Sequence, residues 1–223
     1  MPEKSVRLGV LASGRGTNLQ AVMDAASAGR ISASIAVVLS DKKDSPALDR
    51  ARKGRIPAVT LDPGESPTKE AYDERIVGIL REHRVDLVVL AGYMRIVTPV
   101  LIGAFRNRII NIHPSLLPSF PGLRSPKMAL EWGVKVSGCT VHFVEESVDS
   151  GPIIIQAAVS VREDDTEASL AARILEQEHR ILSRAIQFFA EGRLEVNGRR
   201  VTVRGAEAGP DQVVLSPGPD LKP

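Results

Sequence analysis

Val6-Arg7-Leu8-Gly9-Val10-Leu11-Ala12 leads into Ser13-Gly14-Arg15-Gly16-Thr17-Asn18, and Leu19, Val22, Met23 and Ala26 follow at helical spacing until Gly29. A short apolar run, a glycine-bearing turn and an amphipathic stretch form the opening strand–turn–helix of a parallel α/β sheet. The same rhythm continues. Ile35–Leu39, Pro57–Leu61, Val85–Leu90 and Arg108–Ile112 read as strands, with helices over Pro46–Lys53 and Thr68–His83. In the second helix Tyr72, Ile76, Ile79 and Leu80 share one face. The continuous apolar character of Val85–Leu90 marks burial on both faces, as parallel strands between helical layers require. Val136–Val144 and Ile153–Val161 read as a strand pair, Glu167–Glu191 as the longest helix, and Leu194–Val203 as a hairpin turning at Asn197-Gly198. The expected fold is a single α/β domain over residues 1–204, a mostly parallel, doubly wound sheet with an antiparallel C-terminal portion. Residues 205–223 are rich in Gly and Pro and are expected to form a poorly ordered tail.

Composition narrows the function. With 223 residues, 43% of them hydrophobic, the chain can bury one sizeable core. The net charge is +2 and the basic residues are scattered, so no nucleic-acid stripe stands out. Aromatic residues make up only 4%, too few for a base-stacking platform. One cysteine, Cys139, excludes an internal disulfide. No stretch has the length and apolar character of a membrane span or signal peptide. A soluble, cytoplasmic protein, monomeric or homodimeric, is expected.

Two segments carry chemistry. At Gly14–Asn18, helix-start amides with the Thr17 hydroxyl and Asn18 amide suit one phosphate monoester. The same residues also read as an ordinary turn with Thr17 as helix cap. Leu19 stands where the dinucleotide fingerprint needs its third glycine, and no Walker pattern occurs, which disfavours NAD and ATP. The second segment is Asn111-Ile112-His113-Pro114-Ser115-Leu116-Leu117-Pro118, with Asp149 further along in Val148-Asp149-Ser150-Gly151-Pro152. Asn111 and His113 lie on one side of a strand, at the carboxyl end where open α/β sheets bind ligands. Amide, imidazole and carboxylate together can polarise a carbonyl and move a proton. The bland readings are a structural histidine and a turn carboxylate. His142 reads as a core residue, His83 and His179 as helix-surface residues. No metal-ligand spacing and no Gly-x-Ser-x-Gly elbow occur.

From about Val6 to Leu194 the chain resembles the phosphoribosylglycinamide formyltransferases, the folate-dependent transformylases of purine synthesis. The resemblance is carried by Ser-Gly-x-Gly-Thr-Asn-Leu-Gln at 13–20, Val-Leu-Ala-Gly-Tyr-Met-Arg-Ile at 89–96 and Asn-Ile-His-Pro-Ser-Leu-Leu-Pro-x-Phe-Pro-Gly at 111–122. Gly-Cys-Thr-Val-His-Phe-Val at 138–144 and Asp-x-Gly-Pro-Ile-Ile-x-Gln at 149–156 complete it. It implies two small-molecule substrates, glycinamide ribonucleotide and 10-formyltetrahydrofolate, and no metal. It implies that Gly16, Thr17 and Asn18 hold the phosphate and that Glu178 reaches the ribose. Folate is expected against Met94, Arg95, Ile96 and Val97 and beside Asn111, with Lys69 in the place of a basic residue near the ligands. Asn111 and His113 should meet the formyl oxygen, and Asp149 should hold His113 as an imidazolium. A formyltetrahydrofolate hydrolase, in which water replaces the amine, is the alternative enzyme. That relative usually carries an extra N-terminal domain, for which the strand at Val6 leaves no room. The methionyl-tRNA formyltransferases need about 100 further C-terminal residues. A non-catalytic phosphosugar-binding module is the alternative outside enzymes.

Overall fold

The structure is a computed structural model that describes residues 5–206. Among the described residues, nine strands form one sheet in the order β3-β2-β1-β4-β5-β6-β7-β9-β8. The parallel half holds β1 (Val6–Leu11), β2 (Ala33–Ser40), β3 (Ala58–Thr60), β4 (Leu87–Leu90) and β5 (Ile109–His113). Then β6 (Val136–Phe143) runs antiparallel to β5, and β7 (Ile153–Ser160) antiparallel to β6. The hairpin of β8 (Leu194–Asn197) and β9 (Arg200–Val203) closes the edge, β9 joining β7 in parallel.

Strand alternation sends side chains into two apolar layers. Leu8, Val10, Val38, Val89, Ile110, Ile112, Cys139 and Val141 face α1 (Thr17–Ser27), α2 (Pro46–Lys53) and α6 (Glu167–Ala190). Leu11, Val37, Leu39, Val88, Leu90 and Ile109 face α3 (Lys69–Glu82) and α4 (Pro99–Ala104). Local signals fix the helix ends. The Thr68 hydroxyl accepts from the Ala71 N–H (3.1 Å) at the start of α3. A reciprocal capping box joins Thr166 and Ser169 at the start of α6.

The doubly wound sheet and the hairpin agree with the sequence. Two short helices do not figure in that reading: α4 and α5 (Ser125–Glu131). Each begins with Pro at its first or second position and is too short for periodicity to register. The Gly/Pro tail falls on 207–223, outside the described residues. Of the residues assigned to it, Gly205 and Ala206 close a turn in which the Ala206 N–H donates to the Val203 carbonyl (3.1 Å).

Candidate active site

The strand ends bring both motifs to the same side of the sheet. β1 ends at Leu11, and Ser13 begins the glycine turn. Gly16 caps α1 in the left-handed conformation (φ 69°) and no side chain caps the helix, so its first-turn amides are left for an incoming group. The cap is Gly16, not Thr17 as one reading of the turn had it. The Ser45 hydroxyl and the Ala47 N–H both donate to the Gly14 carbonyl (3.1 and 3.2 Å), and Arg50 Nε donates to the Arg15 carbonyl (2.9 Å). The turn is therefore held from behind by α2. Asn18, buried on α1, donates through Nδ2 to Glu178 Oε2 on α6 at 2.7 Å. Its Oδ1 is buried without a hydrogen-bond partner. Burial raises the Glu178 pKa, and the Asn18 bond opposes that rise.

Ser13 also joins the two halves of the site. Its N–H donates to the Gly92 carbonyl (3.0 Å) and its hydroxyl accepts from the Met94 N–H (2.9 Å). Beyond it the segment 92–98 is pinned by the Thr98 N–H on Asp73 Oδ2 (2.6 Å) and by Arg95 over the Tyr72 ring (5.2 Å). This segment walls a cleft of about 480 Å³. Met94, Arg95, Ile96 and Val97 line one side; Asn111, His113, His142 and Asp149 lie at its polar end. Met94, Ile96, Leu123 and Val148 are exposed apolar side chains on its lining. An apolar rim around a few converging polar groups is the usual form of a small-molecule site. Lys69 does not line this cleft. It borders a smaller hollow of about 260 Å³ with Tyr72 and Arg95.

Asn111 and His142 are direct cross-strand partners in the β5–β6 register, so their side chains meet on one face. Asn111 Nδ2 lies 3.2 Å from His142 Nε2 and 3.4 Å from Asp149 Oδ1. His142 Nδ1 faces the Phe143 carbonyl (2.8 Å), an acceptor. In the neutral ring this leaves the Nε2 lone pair to accept from Asn111. His113 ends β5 with only 4% of its surface exposed. Its Nδ1 is 3.3 Å from Asp149 Oδ2, and its Nε2 is 3.0 Å from the Phe120 carbonyl and 3.1 Å from Ser125 Oγ.

Asp149 reaches this point from the β6–β7 loop in a left-handed conformation (φ 51°). Gly151 makes the return possible: a Cβ there would overlap the Phe143 carbonyl oxygen. The Gly122 N–H donates to Asp149 Oδ2 at 2.8 Å. Burial pushes the Asp149 pKa up, but His142, the Gly122 N–H and His113 together hold it below the ordinary value. For His113, burial is the largest influence and lowers the pKa; the Phe120 carbonyl and Asp149 raise it, His142 lowers it, and the net direction is down. The expected stabilisation of a His113 imidazolium by Asp149 is thus opposed by burial of the ring. Asp149 acts in the expected sense, and desolvation, the larger influence, acts against it.

A sequence profile described as formyl transferase matches residues 6–186. The phosphoribosylglycinamide formyltransferase of Escherichia coli (strain K12) is 41% identical over 201 residues, 90% of this chain and 95% of that protein. The chain belongs to the phosphoribosylglycinamide formyltransferase family. Glycinamide ribonucleotide transformylase 1 from Symbiobacterium toebii superposes with a TM-score of 0.89 at 55% identity, covering 90% of this chain and 94% of that one. A formyltetrahydrofolate deformylase from Pseudomonas syringae pv. tomato is more distant: 30% identity and a TM-score of 0.83, over 91% of this chain and 67% of that one. In this member of the formyltransferase family, Asn111, His113 and Asp149 meet as the sequence led one to expect, and Asn18 meets Glu178. The residues that sequence reasoning missed are His142 and Ser125. His142's place opposite Asn111 comes from the β5–β6 register. Ser125 carried no signal, since it starts a helix too short to detect. Among the described residues no cluster of three or more His, Cys, Asp or Glu is placed to hold a metal, and no helix is long and apolar enough to cross a membrane.

Proposed function

We propose that the chain transfers the formyl group of 10-formyltetrahydrofolate to the amine of glycinamide ribonucleotide, a step in purine synthesis. The observation that carries this reading is the junction at Ser13, which ties a phosphate-type helix start to the wall of an apolar cleft ending in Asn111, His113 and Asp149. The phosphate lies on Gly16, Thr17 and Asn18, and Glu178 meets the ribose hydroxyls beside Asn18. Folate lies along Met94–Val97, with Arg95 beside it and Lys69 in the adjoining hollow that Arg95 also borders. The reaction takes place in the cytoplasm, in keeping with the free, buried thiol of Cys139.

The amine attacks the formyl carbon, and a carbon–nitrogen bond forms as the carbonyl becomes an oxyanion. The Asn111 amide donates to that oxyanion, giving up a bond to His142 or Asp149. The amine's proton passes to the His113–Asp149 pair. His113 becomes an imidazolium and adds its charge to oxyanion stabilisation. Collapse breaks the bond to folate N10, which takes up the proton the pair received. One proton leaves the amine and one reaches N10, so the pair ends as it began.

The test is a formyl-transfer assay with 10-formyltetrahydrofolate, run with and without glycinamide ribonucleotide. Turnover that requires the ribonucleotide and yields its formylated product supports the reading. Equal folate release without the ribonucleotide makes the protein a hydrolase, and ribonucleotide binding without turnover makes it a binding module.

A further inference from the structure

Two anchors hold the segment 92–98 that walls the cleft. At one end the Ser13 hydroxyl accepts from the Met94 N–H (2.9 Å). At the other, Asp73 Oδ2 on α3 accepts from the Thr98 N–H (2.6 Å). Between them lie Arg95, Ile96 and Val97, and among the described residues no hydrogen bond uses their N–H or carbonyl groups. Three peptide groups with no ladder of their own take their shape from the two ends. Asp73 is only 3% exposed, so its bond to Thr98 is shielded from water. We propose that Asp73 is a positioning residue for the folate: its carboxylate, acting through Thr98, holds this free strip in the shape that the folate ring meets along the cleft.

Helix α3 grips the strip through two successive residues. The Tyr72 ring lies under the Arg95 guanidinium (5.2 Å to the centroid), and Asp73 takes the Thr98 N–H. Tyr72 is itself fixed, since its hydroxyl donates to the Leu61 carbonyl (3.2 Å). Of the two end anchors, Ser13 offers a neutral acceptor and Asp73 a charged one, and a charge-assisted hydrogen bond is roughly twice as strong as a neutral one. The charged groups that act on Asp73 are Arg95, from the strip, and Glu70, from α3. Tyr72 on α3 and Tyr93 on the segment before the strip also lie within its field. Helix α4, which Thr98 precedes, brings no charged or titratable side chain. Burial is the largest influence on the Asp73 carboxyl and raises its pKa; the bonds from Thr98 and the charge of Arg95 lower it, Glu70 raises it, and the net direction is up. Acid therefore neutralises Asp73 at a higher pH than it does an exposed aspartate. The bond to Thr98 then loses its charge and the strip its firmer anchor. Folate that binds the anchored strip favours the ionised carboxylate, so its affinity falls as pH drops through the Asp73 pKa.

The role rests on the folate reading of Met94–Val97; the anchor at Thr98 does not. Calorimetric titration with tetrahydrofolate, which carries no formyl group to transfer, reads binding without turnover. Asp73→Asn keeps an acceptor for the Thr98 N–H and removes the charge. At pH 8 it should weaken tetrahydrofolate binding about five- to ten-fold, the difference between a charged and a neutral hydrogen bond. The KM for 10-formyltetrahydrofolate should rise by the same factor, with kcat and the KM for the ribonucleotide within about two-fold of the parent's, as for a loss of uniform binding. At pH 5 the parent's affinity should have fallen towards the variant's and the gap between them narrowed. Equal affinities at pH 8, or a rise in both KM values together, would overturn the proposal. So would a gap that stays constant from pH 8 to pH 5, for then the charge of Asp73 is not felt at the cleft. A parent that binds no tetrahydrofolate overturns the folate reading and this role with it; a parent that binds and a variant that matches it overturn the role alone. Should the Asn variant not fold, hydrogen exchange at the Thr98 amide of the parent decides. Its protection, corrected for the intrinsic exchange rate, should be higher at pH 8 than at pH 5, and protection that is absent or the same at both refutes the anchor.

Discussion

Asp149→Asn separates charge from shape at the centre of the site. The residue holds φ 51°, a left-handed conformation that Asn tolerates as well as Asp, so the backbone accepts the change. The amide oxygen can replace Oδ2, keeping the Gly122 N–H at 2.8 Å and facing His113 Nδ1 at 3.3 Å. The amide nitrogen then replaces Oδ1, where the lone pair of His142 Nε2, 3.7 Å away in the parent, can accept from it. What is lost is one negative charge. At 3.3 Å and an effective dielectric constant of about 20, its attraction for a His113 imidazolium is about 5 kcal/mol gross. Desolvation of the buried carboxylate already offsets part of that.

The sign follows from which form the carboxylate favours. Asp149 raises the His113 pKa against the larger lowering by burial. Without the charge, protonation of His113 moves to still lower pH. Formyl transfer should fall by about 100- to 10,000-fold, the range for lost acid–base assistance. The KM for the ribonucleotide should change little, because the phosphate turn lies on β1 and α1. The assay is a histidine NMR titration of parent and variant, with steady-state kinetics across the same pH range. If His113 titrates at the same pH in both proteins, Asp149 is not its electrostatic partner and the reasoning fails. Retention of more than about a tenth of the parent rate would refute it equally.

Four further variants have expected outcomes. His113→Ala should lower transfer by about 100- to 1000-fold; because the ring is buried between Asp149, Phe120 and Ser125, thermal melts should also show a lower Tm, and an unchanged Tm with near-parent rate would remove His113 from both roles. Gly16→Val should lower the Tm by about 5 °C or more and weaken both substrates together, since a Cβ there meets the Ala47 backbone at 2.8 Å at a strained φ. Gly14→Ala, with open space around its Cβ, should raise the KM for the ribonucleotide alone. Glu178→Gln should weaken ribonucleotide binding about ten-fold or more, as for a lost hydrogen bond to a charged group. The same change should stabilise the ligand-free protein more at pH 8 than at pH 5. Burial raises the Glu178 pKa, so its contribution to stability is complete below the unfolded pKa and is lost as pH rises through the folded one. Equal Tm differences at the two pH values would contradict this.

The frame of the sheet was legible because its strands are apolar on both faces; Leu87–Leu90 is buried at every position. Asn111 and His113 were legible from strand period and strand end, and Asp149 from a polar turn between two β-branched runs. Other features depend on contacts that no local pattern encodes. His142 looks like core in a strand whose neighbours are buried, and only the β5–β6 register reveals that it faces Asn111. The direction of the His113 pKa shift could not be read from the presence of a carboxylate, because burial of the ring is the largest influence on it. Arg124, a residue without a capping side-chain bond, precedes α5 in a left-handed conformation (φ 62°). That departure from the usual start signals hid the helix and Ser125 with it.

Direct transfer between two substrates requires their reacting atoms to approach to about 3–3.5 Å, and small misplacements cost rate steeply. On the proposed reading one subsite is built at the end of β1 and the other mainly at the ends of β4 and β5. Parallel neighbours in one sheet place those ends side by side, but the loops beyond them could still drift. Ser13 limits that drift by bonding the first residue of the phosphate turn to both Gly92 and Met94. Thr140 does the same on the other flank: its Oγ1 donates to the Ser115 carbonyl and accepts from the Leu117 N–H (2.7 and 3.1 Å), anchoring the segment that leads to Phe120 and Ser125. The buried polar groups behind the cleft therefore serve distance control. On the proposed reaction, their side chains touch neither reacting group, yet they hold the two segments between which an amine and a formyl carbon would meet.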